Sequence, residues 1–142
     1  MSGNTSYFVD FGLTSDREVC YRVIGFDSTR VLAQSDPDCT TPPAAPTNLG
    51  AVAHADGTVQ FTWNDNSAVE DGYEVWVQIV TENVDCEAGC YTDVSDYLLV
   101  ALPANTTSYT CLAGCAGVLT YVKATKDGGE SSYTNYVKPS FP

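Results

Sequence analysis

The sequence is poor in positive charge. Its 142 residues carry 6 Lys plus Arg against 18 Asp plus Glu, a formal net charge of −12 at pH 7. Such a surface repels phosphate backbones, which argues against nucleic acid as a partner. Histidine is almost missing. His54 is the only one, it has no Cys or Ser nucleophile arranged around it, and a surface or edge position is the simpler reading. Sustained three-and-four spacing of apolar residues is also lacking, so amphipathic helices are not expected. No stretch approaches the roughly 20 apolar residues of a membrane span. A Gly-rich phosphate loop, a nucleophile elbow and a zincin helix are all missing. Carboxylates are plentiful, among them Asp65, Glu70, Asp71, Glu82, Asp85, Glu87, Asp93 and Asp96, but they fall in loops. Glycoside hydrolysis needs two carboxylates held across a cleft at a fixed separation, and so small a chain offers none. The chain is read as non-enzymatic, with no cofactor.

What remains is strand material. Hydrophobic residues make up 44% and aromatics 11%, which is not a disordered composition. Val, Tyr and Thr are frequent, and these favour strands. Pro42-Pro43-Ala44-Ala45-Pro46 interrupts the chain. Prolines deny backbone donors and favour extended polyproline, so 42–46 reads as a semi-rigid linker. Short segments separated by turn residues follow: Thr47 to Ala55, Val59 to Trp63, Tyr73 to Ile79, Tyr97 to Ala101, Ser108 to Thr110, Val118 to Thr125 and Ser131 to Val137. Alternation along Tyr73 to Ile79 places Tyr73, Val75, Val77 and Ile79 on one face and Trp76 on the other. About seven short strands with regular turns indicate an all-β antiparallel sandwich of the immunoglobulin-like class.

Residues 47–142 resemble one complete fibronectin type III domain. The resemblance is carried by Pro46-Thr47-Asn48-Leu49, by Val59-Gln60-Phe61-Thr62-Trp63, and by Asp65-Asn66-Ser67 with Glu70-Asp71-Gly72-Tyr73-Glu74-Val75, a pattern associated with bacterial members. Thr107-Ser108-Tyr109, Tyr121-Val122-Lys123-Ala124 and Gly128-Gly129-Glu130-Ser131-Ser132 complete it. Residues 1–41 resemble the last three strands of the same domain type. Thr5-Ser6-Tyr7 parallels Thr107-Ser108-Tyr109, and the stretch Val19 to Gly25 parallels Val118 to Ala124. The family often places the tyrosine of its tyrosine corner where Val19 and Val118 stand; neither copy has it. Three strands cannot close a sandwich and leave apolar faces and edges open. The missing strands lie either upstream in a longer polypeptide or in another chain that supplies them by β-augmentation.

The cysteines are Cys20, Cys39, Cys86, Cys90, Cys111 and Cys115. In this acidic, strand-rich chain they read as disulfides made in an oxidising compartment, which places the protein outside the cell, on its surface or in a periplasm. The competing reading is a cytosolic protein with reduced thiols. Met1-Ser2-Gly3-Asn4-Thr5 carries no signal-peptide pattern, so an excerpt or a mature product of a longer exported protein is expected. The partial domain's final hairpin, turning near Asp27-Ser28-Thr29-Arg30, sets Cys20 opposite Cys39 and implies a cross-strand disulfide. Cys86-Glu87-Ala88-Gly89-Cys90 and Cys111-Leu112-Ala113-Gly114-Cys115 share one pattern, and the family's topology brings both to the same pole. Two local disulfides, two crossed ones and a four-cysteine zinc site all fit the spacing, with the local pairs preferred and Gly at positive φ in each turn.

Trp76, Tyr91, Tyr97, Tyr133 and Tyr136 are the candidate contacts for a protein interface or a glycan, protein being the better fit. Asp65, Glu70 and Asp71 are the weak candidates for calcium, although turn formation explains residues of that loop as well. Asn4-Thr5-Ser6 and Asn105-Thr106-Thr107 fit the N-glycosylation pattern. The resemblance implies a structural or protein-interaction module of a secreted multidomain protein. Two alternatives stand beside it: a self-assembling subunit whose N-terminal half is completed by another copy, and an accessory or spacer domain of a glycan-active enzyme.

Overall fold

The computed structural model describes residues 6–83 and 91–140, without the side chains of residues 82, 83 and 91. Cys86, Cys90 and the side chain of Tyr91 therefore fall outside the described part. Every regular element is a strand: β1 (Val19–Tyr21), β2 (Ile24–Phe26), β3 (Val31–Gln34), β4 (Asp38–Thr40), β5 (Thr47–Ala53), β6 (Val59–Asn64), β7 (Gly72–Asn83), β8 (Tyr91–Pro103), β9 (Ser108–Cys111), β10 (Leu119–Lys126) and β11 (Gly129–Glu130). No helix is long and apolar enough to cross a membrane among the described residues.

From β5 onward the strands form two antiparallel sheets, one ordered β5-β6-β9 and the other β11-β10-β7-β8. The alternation in Val59-Gln60-Phe61-Thr62-Trp63-Asn64 is fully realised: Val59, Phe61 and Trp63 are buried and the residues between them exposed. From the facing sheet come Tyr73, Val75, Val122 and Ala124, all without solvent exposure. The rings of Trp63 and Tyr73 meet across the interface at 5.8 Å and 55°. Burying each large side chain contributes about 1.5–3 kcal/mol, so these two half-faces supply the main cohesion of the sandwich. Gly72 opens β7 where no side chain fits: a Cβ there would overlap the Leu102 carbonyl oxygen.

Three departures from the sequence expectations have local causes. The strand expected over Tyr73 to Ile79 runs on to Asn83, and its partner begins at Tyr91. Beyond Gln78, where pairing with β10 ends, the two continue as a hairpin that leaves Ile79, Val80 and Val94 exposed. The final strand expected over Ser131 to Val137 is irregular. Its backbone still bonds along β10, Ser131 N–H to the Ala124 carbonyl, Thr134 N–H to Val122 and Val137 N–H to Thr120. Asn135 turns out of that line to clasp β5, donating to the Leu49 carbonyl and accepting its N–H, both at 3.0 Å. Pulling one residue aside ties the two sheets together at the expense of ladder continuity.

The third departure concerns the N-terminal part. Its last hairpin forms, with β1 on β4 and β2 on β3, as a two-stranded ribbon with Cys20 directly opposite Cys39 and a disulfide between them. Residues 6–10, which hold Tyr7 of the Thr-Ser-Tyr pattern, carry no strand. In the sandwich the matching Tyr109 lies on β9, which pairs with β6. Among the described residues nothing equivalent to β6 lies beside residues 6–10, and a strand without a ladder partner is not held.

Candidate interaction surface

Four rings gather on the outer face of the four-stranded sheet. Trp76 on β7 and Tyr121 on β10 are cross-strand partners, and their rings lie 6.5 Å apart within 7° of parallel. Tyr133 and Tyr136 arrive from the irregular last strand and stand 5.4 and 5.2 Å from the Tyr121 ring. Tyr121 is buried beneath the others, while Tyr133 is 53% exposed and Tyr136 38%. Burial first, then the neighbouring Asp96 carboxylate, hold the Tyr121 phenol above its ordinary pKa. Burial and Tyr133 raise that of Tyr136. Both stay protonated donors at any physiological pH.

Polar groups frame the rings. The Trp76 indole N–H donates to Glu74 at 2.9 Å, and Gln78 donates to Asp96 at 3.0 Å. Lys123, opposite Glu74 in the ladder, donates to Glu130 at 2.7 Å. Its ammonium stands 5.4 Å from the Trp76 ring centre and 5.8 Å from that of Tyr121. Such separations are within reach of cation–π attraction.

Trp76, Tyr133 and Tyr136 are thus brought together by the fold. Tyr97 is not. It pairs with Val77, one position along from Trp76, and so faces the other side of the sheet, 54% exposed. A bulge between Val75 and Trp76 shifts the β7–β8 register there, and alternation alone does not reveal it. Sequence reasoning missed Tyr121 and Lys123. Their outward place was legible only once β10 was known to pair with β7 at Trp76.

The calcium candidates are dispersed among protein donors. Asp65 accepts from the Tyr73 hydroxyl and from Ser67 N–H. Glu70 is buried and accepts from Asn105 N–H at 3.0 Å. Asp71 accepts from Asp127 N–H at 2.9 Å and from Lys126 at 2.8 Å. Each carboxylate closes a different loop of the sandwich, which leaves no shared oxygen cage. Cys111 and Cys115 form a local disulfide with Gly114 at φ 79°, which leaves neither thiol for a crossed pairing or a four-cysteine zinc site; Cys86 and Cys90 lie outside the described residues. Glu18, Cys20 and Cys39 come close together, but both thiols are used in their disulfide. His54 is exposed just past β5, and its backbone closes the turn to Thr58.

An unforeseen residue, Asp16, joins the N-terminal part to the sandwich. Its N–H donates to the Pro42 carbonyl at 2.8 Å. Its carboxylate accepts from Ala44 N–H at 3.2 Å, from the Ser67 hydroxyl at 2.8 Å and from Ala68 N–H at 3.1 Å. One carboxylate therefore pins the proline linker against the loop between β6 and β7.

The strand order decides the fold. First, second and fifth strands of the sandwich form one sheet; third, fourth, sixth and the last segment form the other. This is the fibronectin type III arrangement. Fibronectin type III domains are also what the chain is similar to among solved structures. A two-domain fibronectin type III segment of chicken tenascin is 15% identical, with 89% of this chain and 67% of that one covered at a TM-score of 0.49. A human third fibronectin type III domain is 12% identical, over 71% and 86% of the two chains, at 0.48. A fibronectin type III-like protein from Clostridium thermocellum is 22% identical, over 72% and 99%, at 0.44. No family model matches the chain. No curated protein matches it.

Proposed function

We propose that the chain is a non-catalytic structural and protein-interaction module of a secreted or surface-exposed protein, in which residues 1–41 are one flank of a second sandwich completed from outside this sequence. One observation carries the reading. Laid against residues 118–124, the ribbon stretch 19–25 exposes the valine that β10 buries, and further apolar side chains lie exposed beside it. Val23 is 75% exposed where the matching Val122 is fully buried, and Ile24 and Phe26 are 45% and 71% exposed. Tyr7, Phe8 and Phe11 add 78%, 63% and 84% exposure on the same part of the chain. Tyr7, Phe8, Val23, Ile24 and Phe26 line one open depression, and exposed apolar surface of this kind marks an interface. The disulfides support an oxidising compartment. Strands of the same polypeptide are the expected cover, because sequential neighbours form sandwiches most readily.

Two further readings share observations with this one. Completion by another copy through β-augmentation is favoured by the open edges of the ribbon. A glycan-binding accessory role is favoured by the partly exposed Trp76 and Tyr133 rings, since sugars stack on such faces. Light scattering on the full chain and on a chain starting at Pro42 separates them. Monomers in both cases support completion within one polypeptide. Association of the full chain alone supports assembly between copies. Association of the shorter chain to the same extent would remove the ribbon from the account.

A further inference from the structure

The outer aromatic face carries a cation of its own, and that occupant indicates what the face binds. Lys123 lies with its side chain only 15% exposed, its ammonium held by Glu130 and set over the rings of Trp76 and Tyr121. Three carboxylates border the rings: Glu130 accepts from Lys123, Glu74 from the Trp76 indole, and Asp96 from Gln78 beside Tyr121. A desolvated cation over an indole is stabilised by the ring's negative face, and more strongly than in open water. The rings of Tyr133 and Tyr136 offer further faces at the rim, 53% and 38% exposed, with no second cation among the described contacts over them. The chain as a whole is strongly acidic, so a basic partner is also drawn toward it at long range.

We infer that this face is the docking site for an extended, arginine- or lysine-bearing segment of a partner protein, whose cationic side chains stack on Trp76, Tyr133 and Tyr136 and pair with the surrounding carboxylates. Lys123 acts as an internal competitor for the Trp76 ring and for Glu130. Arginine is the better ligand of the two, since its planar guanidinium both stacks on a ring and forks onto a carboxylate. The inference names the partner chemistry for the interaction-module reading and rests on that reading. The ribbon is not involved in it, so the light-scattering result and the binding result succeed or fail separately.

The test is titration of the full chain with a peptide of alternating arginine and serine, a length-matched peptide of alternating glutamate and serine, and a neutral gluco-oligosaccharide. Indole fluorescence reports the outcome, because Trp63 is buried and Trp76 reaches the surface. The arginine peptide is expected to give a saturable change that the other two do not. Trp76→Ala, followed by isothermal calorimetry, keeps the net charge and weakens binding at least tenfold. Lys123→Met strengthens it several-fold, while Arg30→Met, the same charge change made on the ribbon, leaves it unaltered. Equal binding by native and Trp76→Ala chains would reduce the effect to general attraction by an acidic surface and overturn the proposal. So would equal gains from Lys123→Met and Arg30→Met, absence of binding, or a response to the oligosaccharide alone.

Discussion

Val23 and Val122 take matching places when residues 19–25 are laid against residues 118–124, and their surroundings differ completely. Val122 faces Val75 across the β7–β10 ladder and packs under Phe61 and Trp63 in the core. Val23 sits between β1 and β2, where the ribbon breaks, with three quarters of its surface in water. The two stretches share their valines, Val19 with Val118 and Val23 with Val122; they do not share a facing sheet among the described residues. Local pattern sets which residues are able to face a core, and the sheet opposite determines whether a core exists. What holds the ribbon instead is covalent and short-range: the Cys20–Cys39 bridge and the Asp27 carboxylate, which accepts from the N–H groups of Thr29 and Arg30 at 2.8 and 3.0 Å.

The largest effect is expected from cutting that bridge. The crosslink joins residues 19 apart in sequence, and closing a loop of that size is worth about 3 kcal/mol. Replacing Cys20 and Cys39 together by Ser is expected to abolish the cross-strand nuclear Overhauser contacts between β2 and β3 while the unfolding midpoint of the sandwich stays put. Survival of those contacts would mean that the ribbon has a packing partner after all. Next comes the valine pair itself. Val122→Ala is expected to cost about 2 kcal/mol in denaturant unfolding, from lost burial plus the cavity left behind. Val23→Ala should stay within about 0.5 kcal/mol, as for other surface changes. Similar costs at both positions would break the comparison.

Much of this contrast was readable before any coordinates. The succession of strands and the separation of Trp76 from Tyr73 and Val75 follow from period-2 alternation and turn chemistry, which act within a few residues, and the Cys20–Cys39 pairing follows from the resemblance of residues 1–41 to a final hairpin. Features that need two distant segments were hidden. Tyr121 under Tyr133 and Tyr136 depends on the β7–β10 register and on a last strand that Asn135 pulls out of line. The bulge beside Trp76 turned Tyr97 away from the candidate set. Asp16, an unremarkable loop carboxylate in the sequence, is a joint because the proline linker folds back to it.

That joint sharpens the comparison at a smaller scale. Asp16→Ala removes three accepted hydrogen bonds, two of them to the loop between β6 and β7, and the net loss expected for a few exposed hydrogen bonds is about 1–2 kcal/mol. Its readout is orientation: residual dipolar couplings of ribbon and sandwich should fit one alignment frame in the native chain and two in the variant. A single frame in both would assign the joint to the prolines alone.

The smallest effect concerns acid. The Asp127 backbone N–H, then Lys126, hold the Asp71 carboxyl below its usual range, while the N–H of Thr29, its hydroxyl and the N–H of Arg30 do the same for Asp27. A carboxyl lowered in the folded state stabilises above its unfolded pKa, and that contribution fades as pH falls through the folded value. Asp71→Asn should therefore flatten the acid limb of sandwich stability, whereas Asp27→Asn should alter only the ribbon turn. A shifted sandwich acid limb in Asp27→Asn would show the two copies to be coupled.

The proposal that β10 and the ribbon differ because, among the described residues, only β10 has a facing sheet is tested most directly by amide hydrogen exchange on the intact chain with disulfides formed. Amides of Val122 and Ala124 are expected to exchange only on global unfolding, and those of Gly25 and Ala33 orders of magnitude faster by local opening. Comparable protection in β10 and the ribbon would contradict the account, since it would require a cover over the ribbon.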